Sequence, residues 1–214
     1  MKSITKQKTF DELTTQLQDF NRIFLAGCGT CATLTRTGGV EEVADIKEKL
    51  QSQGKLITGS VVIPVACDDM TEALTKENSS SIKSAQAVLV MACALGVHRM
   101  SQHVNMPVIP ALDTLFIGID DGQGSFHEVC AQCGQCVLGE MADICPITAC
   151  HKGLLNGPCG GTNNGKCEVD KEKDCAWTLI YNRLKDQNRL DSMRKYQPPK
   201  NYQVVPRPRS IKVL

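Results

Sequence analysis

Apolar residues along the first 120 positions alternate between helical and strand spacing. Phe10, Leu13, Leu17 and Phe20 recur every three or four residues behind Thr9, whose hydroxyl suits a helix N-cap, and they predict an amphipathic helix. Ile23–Ala26 is a short apolar run that reads as a strand ending at Gly27. Val40, Val43, Ile46 and Leu50 fall on one side of a second helix, with Glu and Lys opposite. Leu56–Ala66 holds a second strand, and Pro64 marks an edge or a kink near its end. Ala87–Ala92 is continuously apolar, as a strand buried on both faces must be, and Leu115–Ile119 predicts a fourth. Strands and helices alternating at this length imply a parallel sheet faced by helices. The expectation is an α/β, Rossmann-like domain over residues 1–122.

At Asp120-Asp121-Gly122-Gln123-Gly124 the pattern breaks. Beyond Gly124 the chain is poor in apolar residues and rich in glycine until Trp177, Ile180, Tyr181 and Leu184 restore helical spacing. Residues 123–190 therefore read as a small loop-rich domain ending in a helix. Residues 191–214 read as an extended tail containing Pro198, Pro199, Pro206 and Pro208. Residues 183–214 hold nine Lys or Arg against Asp186 and Asp191, a local charge of +7. Tyr196, Tyr202, Val204, Val205, Ile211, Val213 and Leu214 interleave with those charges, more apolar content than a solvated tail needs. The tail is expected to lie along its own domain or a partner chain.

Composition narrows the class. Lys and Arg number 24 against 23 Asp and Glu, so no overall basic excess recommends nucleic acid. The start is polar, and no apolar run approaches the length of a membrane span, so a cytoplasmic chain with no membrane span is expected. There thiols stay reduced, and clustered cysteines read as metal ligands before disulfides. Twelve cysteines are present, and they are unevenly placed.

Cys28 and Cys31 follow the first strand, Cys67 ends the second and Cys93 ends the third. Carboxyl ends of parallel strands share one rim, so these four thiols can converge on a [4Fe–4S] cluster or a zinc ion. Buried, inert thiols are the plainer reading of Cys67 and Cys93. Gly27-Cys28-Gly29-Thr30-Cys31-Ala32 also matches a dinucleotide-binding fingerprint, but no acidic residue is clearly placed about 20 positions on.

The other eight cysteines lie within residues 130–175, too dense for a conventional core, and metal bonds are expected to hold this segment together. Cys130-x-x-Cys133-x-x-Cys136 is the spacing that wraps a loop around one iron–sulfur cube, with a fourth ligand from elsewhere. Cys145, Cys150, Cys159, Cys167 and Cys175 remain; one completes the first cluster, with Cys175 or Cys145 favoured, and four can make a second. His98, His103, His127 and His151 read as surface or packing residues. No nucleophile elbow, P-loop or H-E-x-x-H pattern is present.

The ordered series Cys-Ala-Gln-Cys-Gly-Gln-Cys-Val-Leu, Ile-Cys-Pro-Ile-Thr-Ala-Cys, Lys-Gly-Leu-Leu-Asn-Gly-Pro-Cys-Gly-Gly, Gly-Lys-Cys-Glu-Val and Asp-Cys-Ala-Trp runs from Cys130 to Trp177. It resembles the methylenetetrahydrofolate reductase C-terminal domain family. The resemblance implies a small subunit of the bacterial reductase, in one-carbon metabolism of the Wood–Ljungdahl type. It would carry two or three [4Fe–4S] clusters, with zinc at one site as a further possibility. A flavin-bearing catalytic partner would hold FMN and the folate, and a further electron-donor subunit can join. The function expected is electron transfer to that FMN. A zinc-stabilised assembly subunit is the alternative, and a dinucleotide-binding oxidoreductase a weaker one.

Overall fold

The computed structural model describes residues 2–205 and 207–210. The chain divides into two compact units, Met1–Phe116 and Ile117–Leu214. Pro206, Ile211, Val213 and Leu214, expected to contribute to the tail's contacts, lie outside the described residues.

The first unit holds strands β1 (Lys2–Gln7), β2 (Arg22–Cys28), β3 (Leu56–Ile63), β4 (Ala87–Met91) and β5 (Val108–Pro110). Between them run helices α1 (Phe10–Gln16), α2 (Cys31–Leu34), α3 (Val40–Ser52), α4 (Met70–Glu77), α5 (Ser79–Ser84) and α6 (Ala94–Ser101). A four-stranded sheet has the order β3-β2-β4-β5, and all its pairings are parallel. This is a mixed α/β unit with a parallel sheet. The core forms where the sheet meets its helices: Phe24, Leu25, Leu89 and Met91 from β2 and β4 pack with Leu13, Leu17 and Leu50. Burial of a side chain of this size contributes about 1.5–3 kcal/mol each.

Helix α1 begins where its cap predicts, with the Glu12 amide donating to the Thr9 hydroxyl at 3.3 Å. Every residue of β4 is buried, as its unbroken apolar run requires of an interior strand. Strand β3 stands at the sheet edge and stops at Ile63, one residue before Pro64, which has no N–H to continue pairing.

Other expectations are corrected. The strand read at Ile23–Ala26 runs on through Gly27 to Cys28. Val40, placed on the apolar face of α3, is 70% exposed, because it begins the helix before that face meets the sheet. The fourth parallel strand is β5, short and bounded by Pro107 and Pro110, which hid it. The segment read as that strand lies instead in β6 (Leu112–Asp120), which belongs to a three-stranded sheet of order β1-β6-β7. Strand β7 (Phe126–Glu128) pairs antiparallel with it, Gly118 opposite Glu128.

Strand β1 had no apolar signal, since Ile4 is its only large apolar residue. Polar pairing takes the place of burial energy there. The Thr5 hydroxyl lies 2.6 Å from that of Thr37 and 3.1 Å from that of Thr35, and the Gln7 amide donates to the Thr37 carbonyl. These bonds fix the loop ahead of Gly38, whose carbonyl accepts from the Cys28 amide at 2.9 Å.

The second unit has little regular structure beyond α7 (Pro146–Ala149) and α8 (Ala176–Asp186). Its buried cluster is small: Met141, Ala142, Cys175, Trp177, Ile180 and Leu184. On α8, Tyr181 is 43% exposed, outside the buried stripe. The helix ends at Asp186, and residues up to Arg194 continue as a turn and a 3-10 helix.

Candidate metal centres

Sheet order decides where the first four thiols lie. Cys28 is the last residue of β2 and Cys31 the first of α2; Cys67 follows β3, and Cys93 stands between β4 and α6. Because β2 lies between β3 and β4, these are the carboxyl ends of three adjacent strands. The chain goes from β2 to one neighbour and then crosses to the other, which makes this rim the crevice where open α/β sheets bind ligands.

Cys67 feels the charge of the other three. Cys67 is partly desolvated, which pushes its thiol up, and the charges of Cys93, Cys28 and Cys31 push it further. Burial would likewise raise the Cys28 thiol. It is held below its ordinary value by the Thr30 hydroxyl, 3.3 Å from the sulfur, and by backbone groups of Ala66, Thr30 and Ala32. Donors converging on one sulfur favour its thiolate, the form that binds metal.

The glycines of this loop have a packing role. A Cβ on Gly27 would lie 2.6 Å from the Gly38 carbonyl oxygen and from Val43, and one on Gly29 would lie 3.1 Å from Pro64 Cα. Close approach of the protein's own backbone accounts for both, with no dinucleotide needed.

The second unit sorts its eight cysteines into two cavities. Cys130, Cys133, Cys136 and Cys145 line one. Cys150, Cys159, Cys167 and Cys175 line the other. Of the two residues favoured to join the Cys130–Cys136 triple, Cys145 is the one brought to it; Cys175 lies with the other set. Helix α7 divides the sets, with Cys145 preceding its first residue and Cys150 following its last.

Local structure delivers each thiol. The Gln132 amide donates to Cys130 Sγ at 3.4 Å, and the Gly161 amide to Cys159 Sγ at the same distance. Cys175 is the N-cap of α8. Burial would raise its thiol, but the first-turn groups of Thr178 and Trp177 and the Thr162 hydroxyl bring it below its ordinary value. Its amide donates to the Gly165 carbonyl at 2.7 Å, while the Cys167 amide donates to Lys173 at 2.9 Å, so one folded-back loop carries both thiols. Lys152 pairs with Glu168 beside this cavity. That hydrogen bond raises the Lys152 ammonium, and the charges of Cys159 and Cys167 add to it.

All twelve cysteines are free. Among the described residues, no three or more His, Cys, Asp or Glu side chains form a group that could hold a single metal ion as they stand. The thiols share cavities and electrostatic fields rather than one point.

Residues 109–203 match the family described as methylene-tetrahydrofolate reductase C terminal. The matched stretch begins in β5 and contains all eight cysteines of the second unit and none of the first four. It relates this part of the chain to methylene-tetrahydrofolate reductases. No curated protein and no solved structure matches the chain. Among the described residues, no helix is long and apolar enough to cross a membrane.

Two features of these sites escape a reading of the sequence: Thr30 as a donor to Cys28, and the Lys152–Glu168 pair. Thr30 had a signal, since a hydroxyl inside a C-x-x-C turn lies within reach of the first sulfur. Lys152 and Glu168 had none, being sixteen residues apart on loops.

Proposed function

We propose that this protein is the MetV-type small subunit of a methylenetetrahydrofolate reductase, an iron–sulfur electron-transfer subunit passing electrons to the FMN of a catalytic partner. What supports this reading is four thiols at the ends of three adjacent strands in the first unit and, in the second, two cavities each lined by four thiols. Thiolates that each bind a different corner of an iron–sulfur cube stand farther apart than four ligands of one ion, in keeping with thiols that surround a cavity. The donor chemistry also fits, since amides and hydroxyls aimed at sulfur stabilise thiolate and tune a bound cluster's potential.

When bound, [4Fe–4S] clusters carry single electrons, and two such transfers reduce a flavin. In each set the chain supplies four thiolates and the donors that orient them. Helix α7 brings two sets close, because the five-residue step from Cys145 to Cys150 advances roughly 7–8 Å at helical rise. In this reading folate chemistry belongs to the partner, and this chain has no catalytic residue of its own.

Anaerobic purification followed by iron, acid-labile sulfide and zinc analysis tests the reading. Three filled sites give roughly 12 irons per chain and a brown protein. A colourless protein holding zinc alone would make it an assembly subunit instead. The partner is tested by co-purification of a flavin-containing chain.

A further inference from the structure

The loop Val129–Cys136 has few bonds of its own: the Gln132 amide donates to Cys130 Sγ at 3.4 Å, the Gln132 side chain to the Cys130 carbonyl, and Cys133 Sγ to the Gln135 carbonyl at 3.5 Å. Among the described residues no backbone–backbone hydrogen bond begins or ends within it. Two of its residues take left-handed backbone, Gln132 at φ 49° and Gly134 at φ 75°, a costly state for glutamine. Three cysteines separated by such a loop should sample many arrangements.

Further bonds come from the tail. The Lys200 ammonium donates to the Gln135 carbonyl, and the Asn201 amide donates to the Gln135 side-chain oxygen at 2.8 Å. Arg209 donates to the Gln132 carbonyl at 3.2 Å. Val204 and Val205 press so close to Gly134 that a Cβ there would lie 3.0 and 2.5 Å from their methyl groups. The tail itself is anchored upstream, where Asn156 exchanges two 2.8 Å hydrogen bonds with the Gln197 backbone.

The two carbonyls seized by cations precede Cys133 and Cys136 directly. In a planar trans peptide, C=O and N–H point in opposite directions. Pulling the Gln132 oxygen toward the tail therefore turns the Cys133 amide away from it, while the Gln135 oxygen is shared between Lys200 and Cys133 Sγ and ties the tail directly to a thiol of the set. Among the described residues, none of the tail lines the cavity shared by Cys130, Cys133, Cys136 and Cys145.

We infer that residues 197–205 and 207–209 form a strap that pre-organises the Cys130–Cys136 loop, with Lys200 and Arg209 as positioning residues that fix its peptide planes beside the thiolate cavity. This deepens the reading of that cavity as a cluster site and rests on it. The strap also brings two positive charges near a site that is anionic when its thiolates are loaded, which favours the reduced state of a bound cluster.

The test uses the full chain with both Lys200→Met and Arg209→Met, compared with the wild type and with Lys200→Arg. Hydrogen exchange at the Asn201 amide, which donates to Gln135, needs no metal and should be faster in the double variant. Equal exchange overturns the strap. In reconstituted protein, one cluster should lose iron to a chelator about tenfold faster in the double variant. Its midpoint potential should fall while the others stay, and Lys200→Arg should retain wild-type behaviour. Unchanged potentials overturn the positioning role even if exchange quickens. If the wild-type chain binds no iron or sulfide, the cluster reading and the positioning role fall together, and exchange alone decides the strap.

Discussion

The Trp177 indole lies flat against the backbone of Gly157, so that a Cβ on Gly157 would intrude on Nε1, Cδ1 and Cε2. The same Nε1 donates to the Leu154 carbonyl at 3.0 Å. One side chain of α8 thereby pins the loop leading to Cys159 against the helix that begins after Cys175. Two thiols of one cavity, sixteen residues apart, are held by a contact that involves neither.

Gly157→Ala should therefore destabilise the second unit by about 1–3 kcal/mol, the usual cost of overpacking. Trp177→Phe deletes the pyrrole half of the buried indole, losing about 1 kcal/mol for the hydrogen bond and more for the cavity left against Gly157. Denaturant titration measures both. Trp177 is the only tryptophan in the chain, so its fluorescence reports on Gly157→Ala at the site itself.

Metal removal should act on one unit only. The first unit buries a large apolar core, whereas the second relies on a handful of buried residues around α8. A chelator should red-shift Trp177 emission and open residues 125–176 to protease, while the helical and sheet signal of the first unit persists. Unchanged emission after complete metal removal would contradict this.

Iron content should track the three sets. Cys67→Ser should remove one cluster's worth of iron. Cys136→Ser and Cys145→Ser should remove another, with the double variant losing no more than either alone, because both act on one site. Cys145→Ser combined with Cys175→Ser should lose two. Iron and sulfide analysis of the purified variants checks each number, and additive losses from Cys136 and Cys145 would undo the partition.

In the metal-free chain Cys28 should titrate before Cys67. Cys28 lies below its ordinary value, so its thiolate forms at lower pH; Cys67 lies above, so its thiolate forms at higher pH. Thr30→Val removes a donor and should move Cys28 upward. The pH midpoint of alkylation at each cysteine, read by mass spectrometry, reports this independently of how accessible each sulfur is.

Much of the first unit was legible because its signals are local. The Thr9 cap, the spacing of Val43, Ile46 and Leu50, and the apolar run of β4 depend on neighbours a few residues away. Strand β1 was not, because its place rests on Thr5 meeting Thr35 and Thr37 thirty residues on. Strand β5 was too short and too rich in proline to show a pattern.

By itself the sequence determined where the twelve thiols lie along the chain, and it placed the first four after strands. Tertiary structure alone decided how they divide. The order β3-β2-β4 makes three strand ends adjacent, though 62 residues separate Cys31 from Cys93. In the second unit Cys145 and Cys175 were equal candidates in sequence, and α7 and α8 assign them to different cavities. Spacing states how far apart two ligands are along the chain. Only packing states which face they share, because loops without periodicity take their course from the contacts that end them.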